Sequence, residues 1–474
     1  MDEAPTLDPT DWEAFRRQAH AMLDDAIDHV RDLPAGPVWR PMPPEVRAGF
    51  AAPLPVDGHP LEDVHAVFRE RILPYHSGNA HPRFVGWVQG GGTPVGMMAE
   101  LLAAAMNPNC GGRDHAAIEV ERQIIRWMRE LFAFPDTTTG ILVTGASLAN
   151  WMAVVTAKTR ALGRATRAQG LADGHRLRAY TSVATHQCVE RAMEMSGLGS
   201  DALVRIPTGP EHRVDLAALR SAIAADRARG LTPFLVVASA GTVDVGAIDP
   251  LGEIADLAAR EQMWFHVDGA LGAFSVLAPE LRGLVAGIER ADSIACDFHK
   301  WLQVPYDAGM LLVRDGEHHA AAFAGEAAYL ARGDRGLSAG APWPTDFGPD
   351  LSRGFRALKV WFTLSVYGVR RLGEVIASTC ALARGLAERI AREPELELLA
   401  PVALDIVCFR FRHSDADRIN ATIVTDLQVD GIAAPSTTRI GGALAIRVAI
   451  INHRCRAADL ERLVDEVLVR GRRG

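Results

Sequence analysis

The sequence predicts an α/β protein with a mostly parallel, seven-stranded sheet and helices on both faces. Short apolar segments with the composition of strands occupy residues 141–144, 179–184, 203–206, 234–238, 264–267, 293–296 and 310–313. Most intervals between them have the apolar spacing of amphipathic helices, for example 148–162, 189–195, 216–228 and 251–262. Short apolar strands that alternate with helices indicate a sheet buried on both faces, whose parallel strands are joined by crossover helices.

Both ends of the chain predict smaller units around this large domain. Residues 1–75 form an N-terminal helical segment, because apolar residues have helical spacing at 12–33 and 60–72 on either side of a proline-rich stretch. Such a segment buries little by itself, so it packs either on its own domain or on another surface. Residues 351–474 combine a long helical pattern, two strand patterns and a final helix, which predicts a small C-terminal α+β domain. The large domain then spans residues 76–350.

Two stretches of the large domain predict irregular backbone near a ligand or an interface. The segment HPRFVGWVQGGGTPVG at 81–96 is rich in glycine and aromatic residues, which lets the backbone approach a ligand closely. Residues 316–350 are too long and too irregular for an ordinary connection, which suggests a mobile lid or an interface loop.

Composition and charge exclude several classes of protein. The formal net charge of −8 argues against a nucleic-acid-binding protein, which would present a basic surface. The six cysteines lie far apart without paired spacing, so we expect reduced thiols rather than disulfides or a metal site. No signal peptide is visible, and no apolar run is long enough to cross a membrane. We expect a soluble cytoplasmic protein with no nucleic-acid or membrane partner and no metal.

One lysine stands out for its scarcity and its position. The chain has 50 lysine and arginine residues, of which only Lys158, Lys300 and Lys359 are lysines. Lys300 follows a predicted strand and lies among aromatic neighbours in the segment DFHKW. Unlike a guanidinium group, an amine can lose its proton and attack a carbonyl carbon. Lys300 is therefore a candidate for covalent chemistry with a carbonyl compound.

A carboxylate is predicted close to this lysine. Asp268 ends the strand pattern WFHVD and is followed by Gly269 and Ala270, small residues that let a flat ring come near. Alone, Asp268 would be interpreted as a helix N-cap or a turn residue. Lys300 follows at the end of the next predicted strand, so the two side chains are expected at neighbouring strand ends. This pairing favours a functional interpretation.

Further polar residues at the predicted strand ends match the needs of pyridoxal 5′-phosphate (PLP). This cofactor requires a lysine for its aldehyde, a carboxylate for its pyridine nitrogen, donors for its phosphate and a group that stacks on its ring. Gly145, Ala146 and Ser147 lie at a strand-to-helix turn, where N–H groups bind phosphate, and Thr242 adds a hydroxyl. His186 is a candidate for stacking. The alternatives are an ordinary turn for the first four and a core or surface histidine for the last.

An arginine inside an apolar strand pattern also requires a partner. Arg447 lies in the segment ALAIRVAIIN, where a buried charge must be neutralised. A substrate carboxylate is one candidate partner, and an internal salt bridge is the other.

The ordered set TGAS, THQCVERA, HVDGA and DFHKW resembles the group II PLP-dependent amino acid decarboxylases, the family of aromatic-L-amino-acid, glutamate and histidine decarboxylases. The likeness includes HPRF at 81–84, FRALKVWFTLSVYG at 355–368 and the strand with Arg447, and extends over nearly the whole chain from about residue 60. It implies PLP fold type I, as in aspartate aminotransferase. It also implies an obligate homodimer with a shared active site, in which the N-terminal segment wraps around the partner.

The resemblance implies a role for each candidate residue. Lys300 would bind the cofactor aldehyde, Asp268 would pair with the pyridine nitrogen, and His186 would stack on the ring and assist proton transfer; these three are the predicted catalytic residues. The predicted cofactor-binding residues are Gly145, Ala146, Ser147, His186, Thr242, Asp268, Ala270, Asp297, His299 and Lys300. The predicted substrate-binding residues are Trp87, Asn109 and Arg447.

Two departures from the family pattern leave the outcome of the reaction open. The catalytic tyrosine of the family's mobile loop is absent, because Pro344 stands near its position and Tyr329 comes too early in the loop. The segment NPNCGGRDH at 107–115, which includes Asn109, is more polar than the pocket of aromatic amino acid decarboxylases. Trp87 keeps one aromatic residue nearby, so the substrate stays open between aromatic and polar amino acids.

We therefore expect a PLP-dependent carboxy-lyase that converts an L-amino acid to its amine and carbon dioxide, with an aromatic or other bulky side chain slightly favoured over a polar one. Family members without the loop tyrosine can run oxidative decarboxylation–deamination to an aldehyde, so an aldehyde synthase is the alternative, beside another PLP lyase or a transaminase. A non-catalytic scaffold with the same fold is a third hypothesis. The combination of Lys300, Asp268 and His186 argues against it.

Overall fold

The large sheet has the seven predicted strands. The structure is a computed structural model that describes residues 5–171, 175–325 and 332–473; Tyr329 lies outside these ranges. The strands are β1 (Thr139–Val143), β2 (Leu177–Ser182), β3 (Leu203–Ile206), β4 (Thr232–Ser239), β5 (Trp264–Asp268), β6 (Ser293–Asp297) and β7 (Gly309–Val313). Their order is β1-β7-β6-β5-β4-β2-β3, and only β7 runs antiparallel to its neighbours. The predicted fold class is confirmed.

Helices cover both faces of this sheet. The described helices are α1 (Trp12–Asp32), α2 (Pro44–Gly49), α3 (Leu61–Val67), α4 (Pro94–Met106), α5 (Ala116–Leu131), α6 (Ala146–Leu162), α7 (Thr166–Gln169), α8 (Cys188–Met195), α9 (Leu216–Ala228), α10 (Leu251–Glu261), α11 (Gly316–Phe323), α12 (Arg356–Ala391), α13 (Ala416–Val429) and α14 (Ala457–Gly471). Successive strand residues point to opposite faces, so Leu235 belongs to the apolar cluster that includes α6 and α8, whereas Val236 belongs to the cluster that includes α5, α9 and α10. Each face therefore has its own apolar core.

The long helical pattern predicted after residue 351 forms α12, which contains a kink. Its 36 residues are interrupted at Gly368, where the backbone adopts φ 69° and ψ 156°. Glycine reaches this positive φ without steric cost, so two helical stretches meet at a kink at Gly368.

The small C-terminal domain is more regular than the sequence predicts. Its sheet has the antiparallel order β10-β11-β9-β8, with β8 (Leu396–Leu398), β9 (Ile406–Phe411), β10 (Ser436–Ile440) and β11 (Ala443–Ala449). The sequence predicts β9, β11 and α14 but misses β8, β10 and α13. Gly441 and Gly442 have φ of 57° and 87° and form the hairpin turn between β10 and β11. This glycine pair was the available signal for β10.

The glycine-rich segment 79–91 joins the two domains. Predicted as part of the large domain, it forms hydrogen bonds to the small one: Val85 N–H donates to Ala434 O at 3.1 Å, and Ala449 N–H donates to Val85 O at 2.6 Å. The side chain of Asn452 donates to Asn79 O at 3.0 Å. The predicted domain boundaries stay predictions, and this segment forms hydrogen bonds to both the large and the small domain.

The N-terminal segment leaves apolar side chains uncovered in the single chain. Helix α1 has no buried residue, and Trp12, Phe15 and Ile27 are 59%, 41% and 46% exposed. Capped by the carboxylate of Asp11, the helix is formed but has little to pack on. Within the described ranges, no helix has the length and apolar character needed to cross a membrane.

A buried carboxyl group of the small domain predicts pH-dependent stability. Asp405 precedes β9 and is fully buried, and burial raises the pKa of its carboxyl group to about 7. Between its ordinary pKa near 4 and pH 7, the folded protein holds a proton that the unfolded chain has released. The free energy of unfolding therefore falls as the pH rises through this window, by about 1.4 kcal/mol per pH unit for this group.

Replacing Asp405 by Asn should remove this contribution. We expect the Asp405→Asn variant to gain roughly 3 kcal/mol relative to the unsubstituted protein between pH 5 and pH 8, measured by urea unfolding at both pH values. The exposed Asp136, replaced by Asn, is the control and should show little change with pH. An equal stability difference at both pH values would contradict the assignment of a raised pKa to Asp405.

Candidate active site

A cavity of about 490 Å³ lies at the carboxyl ends of the large sheet's parallel strands. The predicted site residues that line it are Trp87, Gly145, Ala146, Ser147, His186, Thr242, Asp268, Ala270, Asp297, His299, Lys300 and Arg447. They come from the glycine-rich segment before α4, from the ends of β5 and β6, from the stretches that follow β1, β2, β4, β5 and β6, and from β11 of the small domain. The topology therefore brings together residues that are as much as 360 positions apart in the chain.

The lysine lies in the connection between β6 and β7. Its Nζ is 3.1 Å from Oδ2 of Asp297, and Nε2 of His299 is 3.6 Å from the same oxygen. The other oxygen of Asp297 accepts a hydrogen bond of 2.7 Å from the N–H of Ala146. A phosphate placed against this carboxylate would be repelled. For Asp297, a predicted cofactor-binding residue, these contacts favour a role in orienting the Lys300 amine.

Asp268 ends β5 with its carboxylate held at both oxygens. Oδ1 accepts a hydrogen bond from Ala270 N–H at 3.2 Å, and Oδ2 accepts one from the side-chain amide of Asn150 at 3.1 Å. Burial raises the pKa of Asp268, and the nearby charges of Lys300 and His186 oppose that rise. A cation beside Asp268 would further stabilise its ionised carboxylate. A protonated pyridine nitrogen is such a cation.

The first turn of α6 forms one side of the cavity and is the candidate site for a phosphate group. Gly145, Ala146 and Ser147 line it, and a Cβ at Gly145 would lie 3.3 Å from Cε1 of His299. The absence of this side chain lets the ring of His299 pack against the backbone. Thr242 accepts a hydrogen bond of 3.0 Å at Oγ1 from Ala247 N–H, so its own hydroxyl proton is available to a ligand.

His186 presents its ring to the cavity in one tautomer. Its Nδ1 accepts a hydrogen bond of 3.2 Å from the N–H of Cys188. In the neutral imidazole the proton therefore resides on Nε2. The histidine can donate that proton to a ligand, as well as stack on a flat ring.

Arg447 is held almost entirely by backbone carbonyl groups. Nη1 donates to Gly86 O at 2.6 Å, Nη2 donates to Val243 O at 2.6 Å, and Nε donates to Asp244 O at 3.1 Å. The residue is only 5% exposed, yet these acceptors are neutral. Among the described residues Arg447 forms no ion pair, although the carboxylates of Asp244 and Asp405 lie near enough to favour its charged form. Of the two candidate partners, an internal salt bridge is therefore not formed, and the charge can attract an anion in the cavity.

Asn109 does not line the cavity of this chain. Its Oδ1 accepts hydrogen bonds of 3.0 Å from the N–H groups of Gly111 and Arg353, so the short amide side chain stabilises its own loop. Predicted as a substrate-binding residue, Asn109 has a structural role within the single chain. Trp87, by contrast, is on the cavity wall, 48% exposed and in contact with Phe84.

Sequence reasoning missed several residues of the wall. They include Gln89, Cys188, Ser239, Leu271 and Tyr306. The signal for two of them was present: Cys188 follows His186 by two residues, and Tyr306 lies in the same segment as Lys300. The ring of Tyr306 packs on that of His299, with centroids 4.3 Å apart and an interplanar angle of 32°.

The fold and the cavity define a PLP-dependent enzyme of fold type I, since an amine, a buried carboxylate and an anion-binding helix end face one space. The family model described as the pyridoxal-dependent decarboxylase conserved domain matches residues 43–412. The chain belongs to the pyridoxal-dependent decarboxylase family and is a PLP-dependent carboxy-lyase. This confirms the resemblance and the cofactor predicted from the sequence.

Known proteins match over nearly the whole chain. The aromatic-L-amino-acid decarboxylase of Bacillus atrophaeus is 30% identical over 464 residues, 96% of this chain and 95% of that protein. The structure of Oryza sativa TDC with PLP and tryptamine is 26% identical with a TM-score of 0.89, covering 99% of both chains. The 4-hydroxyphenylacetaldehyde synthase of Rhodiola rosea, 24% identical, shares the fold with a TM-score of 0.86 over 98% of this chain and 99% of that chain. A decarboxylase and an aldehyde synthase thus share this fold.

Proposed function

We propose that the protein decarboxylates an L-amino acid to the corresponding amine and carbon dioxide. The observation that carries this proposal is the meeting of Lys300, Asp268 and Arg447 in one cavity with the first turn of α6. When bound, PLP supplies the electron sink that accepts the electron pair left by the departing carbon dioxide.

Different residues of the cavity would bind the cofactor and the substrate. Lys300 would hold the cofactor at its aldehyde carbon, Asp268 at its pyridine nitrogen, and Ser147 and Thr242 at its phosphate. Arg447, whose charge meets only neutral acceptors, would hold a carboxylate of the amino acid. Nε2 of His186 would donate a proton to a bound ligand.

Tyr306 is our candidate for the acid that protonates Cα. Pro344, near the position of the family's loop tyrosine, is buried in a turn whose neighbour Trp343 contacts Gly112. Among the described residues, Tyr306 is the only tyrosine on the cavity wall. The residue is 47% exposed in the single chain, and its partial burial together with the charge of Asp297 raises the pKa of its phenol, so Oη carries a proton at neutral pH. This supports amine formation despite the tyrosine-free loop.

Removing this hydroxyl should change the product. We expect Tyr306→Phe to slow amine formation by about 10²- to 10⁴-fold, because a positioned acid contributes on that scale. In air, consumption of dioxygen with release of aldehyde, ammonia and peroxide should then rise relative to the amine. Products are quantified by mass spectrometry and an oxygen electrode. Tyr367→Phe, outside the cavity, is the control; unchanged amine formation in Tyr306→Phe would remove Tyr306 from this role.

The substrate is tested with a panel of L-amino acids. Carbon dioxide, amine, aldehyde and ammonia are assayed together for aromatic, acidic and basic side chains. Trp87 and Leu271 on the wall support an aromatic or bulky substrate, whereas Gln89 supports a polar one. Carbon dioxide with equimolar amine supports the proposal. Equimolar ammonia and peroxide would establish the aldehyde synthase instead, and turnover without carbon dioxide would establish a different PLP reaction such as transamination.

We also propose that the enzyme is a cytoplasmic homodimer with a shared active site. The exposed apolar residues of α1 support this, since a second chain would cover Trp12, Phe15 and Ile27. The six cysteines, all buried thiols, suit a reducing compartment. Sedimentation equilibrium of the full chain tests the dimer, and a monomer at micromolar concentration would contradict it.

A further inference from the structure

We propose that Asn150 and His266 are positioning residues that hold the Asp268 carboxylate ionised and aimed into the cavity through a buried chain of hydrogen bonds. The chain runs from Asp268 through Asn150, His266 and Ser293 to Trp264. The inference rests on the proposed pairing of Asp268 with the cofactor's pyridine nitrogen.

The distances describe a continuous chain. Nδ2 of Asn150 is 3.1 Å from Oδ2 of Asp268, and Oδ1 of Asn150 is 2.7 Å from Nε2 of His266. Nδ1 of His266 is 2.8 Å from Oγ of Ser293, which lies 2.8 Å from Nε1 of Trp264. The members belong to α6, β5 and β6, and His266 and Ser293 are register partners in the sheet. The chain of hydrogen bonds thus connects three elements of the fold, and Asn150 of α6 is the member that bonds to the carboxylate oxygen.

The direction of each hydrogen bond follows from its end groups. The indole of Trp264 can only donate, so Ser293 accepts from it and has its own hydroxyl proton for Nδ1 of His266. His266 then carries its proton on Nε2 and donates to Oδ1 of Asn150. This leaves the NH₂ group of Asn150 facing Asp268, as an ionised carboxylate requires.

The reverse pattern is incompatible with an ionised Asp268. If Nδ1 of His266 carried the proton, it would donate to the backbone oxygen of Ser293, 3.2 Å away, and Nε2 would accept from Asn150. The carbonyl oxygen of Asn150 would then face Oδ2 of Asp268, and two acceptors would meet unless Asp268 were protonated. The tautomer of His266 and the charge of Asp268 are therefore linked.

The chain itself carries no charge. Asn150 and Ser293 are fully buried, and His266 is 1% exposed. Burial lowers the pKa of His266 to about 3, so the imidazole is neutral at physiological pH. The negative charge stays on Asp268, beside the cavity. The indole N–H of Trp264, at the end of the chain, can donate a hydrogen bond but cannot accept one. The chain therefore orients the carboxylate of Asp268 and does not conduct protons.

The test compares three variants by cofactor affinity and by the spectrum of bound PLP. In Asn150→Leu, Asp268 loses its amide donor; we expect the PLP dissociation constant to rise roughly ten- to a hundredfold, the scale of a lost hydrogen bond to a charged group. The pH at which the bound chromophore changes absorbance should shift as well. His266→Gln, which can donate and accept at similar positions, should restore most of the affinity relative to His266→Phe.

A matched control separates positioning from simple destabilisation. Asn420 is also a fully buried helical asparagine, but it bonds to Phe411 in the small domain. Asn420→Leu should lower the thermal midpoint without changing the PLP dissociation constant or the spectral titration. The inference would be overturned if Asn150→Leu kept the wild-type PLP dissociation constant and the wild-type spectral titration. Equal PLP affinities of His266→Phe and His266→Gln would overturn it as well. Should Asn150→Leu not fold, the His266 pair decides.

Asp268→Asn distinguishes failure of this inference from failure of the proposed function. If Asp268→Asn weakens PLP binding and Asn150→Leu does not, only the positioning chain is wrong. If Asp268→Asn leaves PLP binding and its spectral titration unchanged, the proposed role of Asp268 is wrong, and the inference falls with it.

Discussion

Replacing Lys300 by Ala is expected to abolish covalent attachment of PLP and to reduce decarboxylation by at least about 10²- to 10⁴-fold, the scale of a lost proton-transfer group. The reason is chemical and local. Among the described residues, Lys300 supplies the one amine on the cavity wall. Its Nζ lies 3.1 Å from Oδ2 of Asp297, which orients the amine. Borohydride reduction followed by peptide mass spectrometry measures the attachment directly.

Two controls define what the loss of Lys300 means. Lys300→Arg keeps a cation beside Asp297 but cannot lose its proton, so it should be as inactive as the alanine variant. Lys158→Ala removes an amine that donates to Ser196 O, away from the cavity, and should keep full labelling. Reduced PLP on Lys158 or Lys359 in the Lys300→Ala variant would show that the covalent site was assigned to the wrong residue.

Replacing Glu121 by Gln is expected to lower the free energy of unfolding by about 3–5 kcal/mol, because it leaves a buried guanidinium without its counter-charge. Oε1 and Oε2 of Glu121 lie 2.7 and 3.0 Å from the two terminal nitrogens of Arg353, and both side chains are nearly inaccessible. Oε1 also accepts from Leu142 N–H at 2.9 Å, which ties α5 to β1. Urea unfolding measures the change.

The same helix supplies the control. Glu119 pairs with Arg122 on the exposed side of α5, and Glu119→Gln should change the stability by less than about 1 kcal/mol. If Glu119→Gln and Glu121→Gln lowered the free energy of unfolding by similar amounts, burial of the Glu121–Arg353 pair would not increase the cost of breaking it. A Glu121→Gln variant as stable as the unsubstituted protein would mean that Arg353 finds full compensation in the carbonyl groups of Cys110 and Leu142.

The sequence was sufficient for the large sheet because its strands are apolar on both faces and are separated by amphipathic helices. Strand ends differ from the predicted ones by at most two residues. The strands that the sequence did not predict lack this pattern of an apolar segment between amphipathic helices. β10, with the sequence STTRI, is largely polar, and β8 has three residues, so their pairing partners rather than their own composition create them.

The site was predictable to the extent that strand ends carry it. Lys300, Asp268 and His186 follow or end strands that meet at one edge of the sheet, and their arrangement follows from topology alone. The chain through Asn150 and His266 was not predictable, because it depends on the register that places His266 opposite Ser293 and on the face that α6 presents. Asn109 lies outside the cavity of the single chain, where its side chain accepts from its own loop and from Arg353 N–H, and its predicted role in substrate binding stays a prediction.

The scarcity of lysine also determines how the protein behaves toward amine-directed conjugation. Lys359 is ion-paired with Glu100 and only 4% exposed, and burial lowers the pKa of Lys158, whose amine donates to Ser196 O. Activated esters therefore meet few accessible lysine amines. A single lysine placed at an exposed arginine, such as Arg220 of α9, would keep the charge and provide a nearly unique attachment point for a dye or a surface.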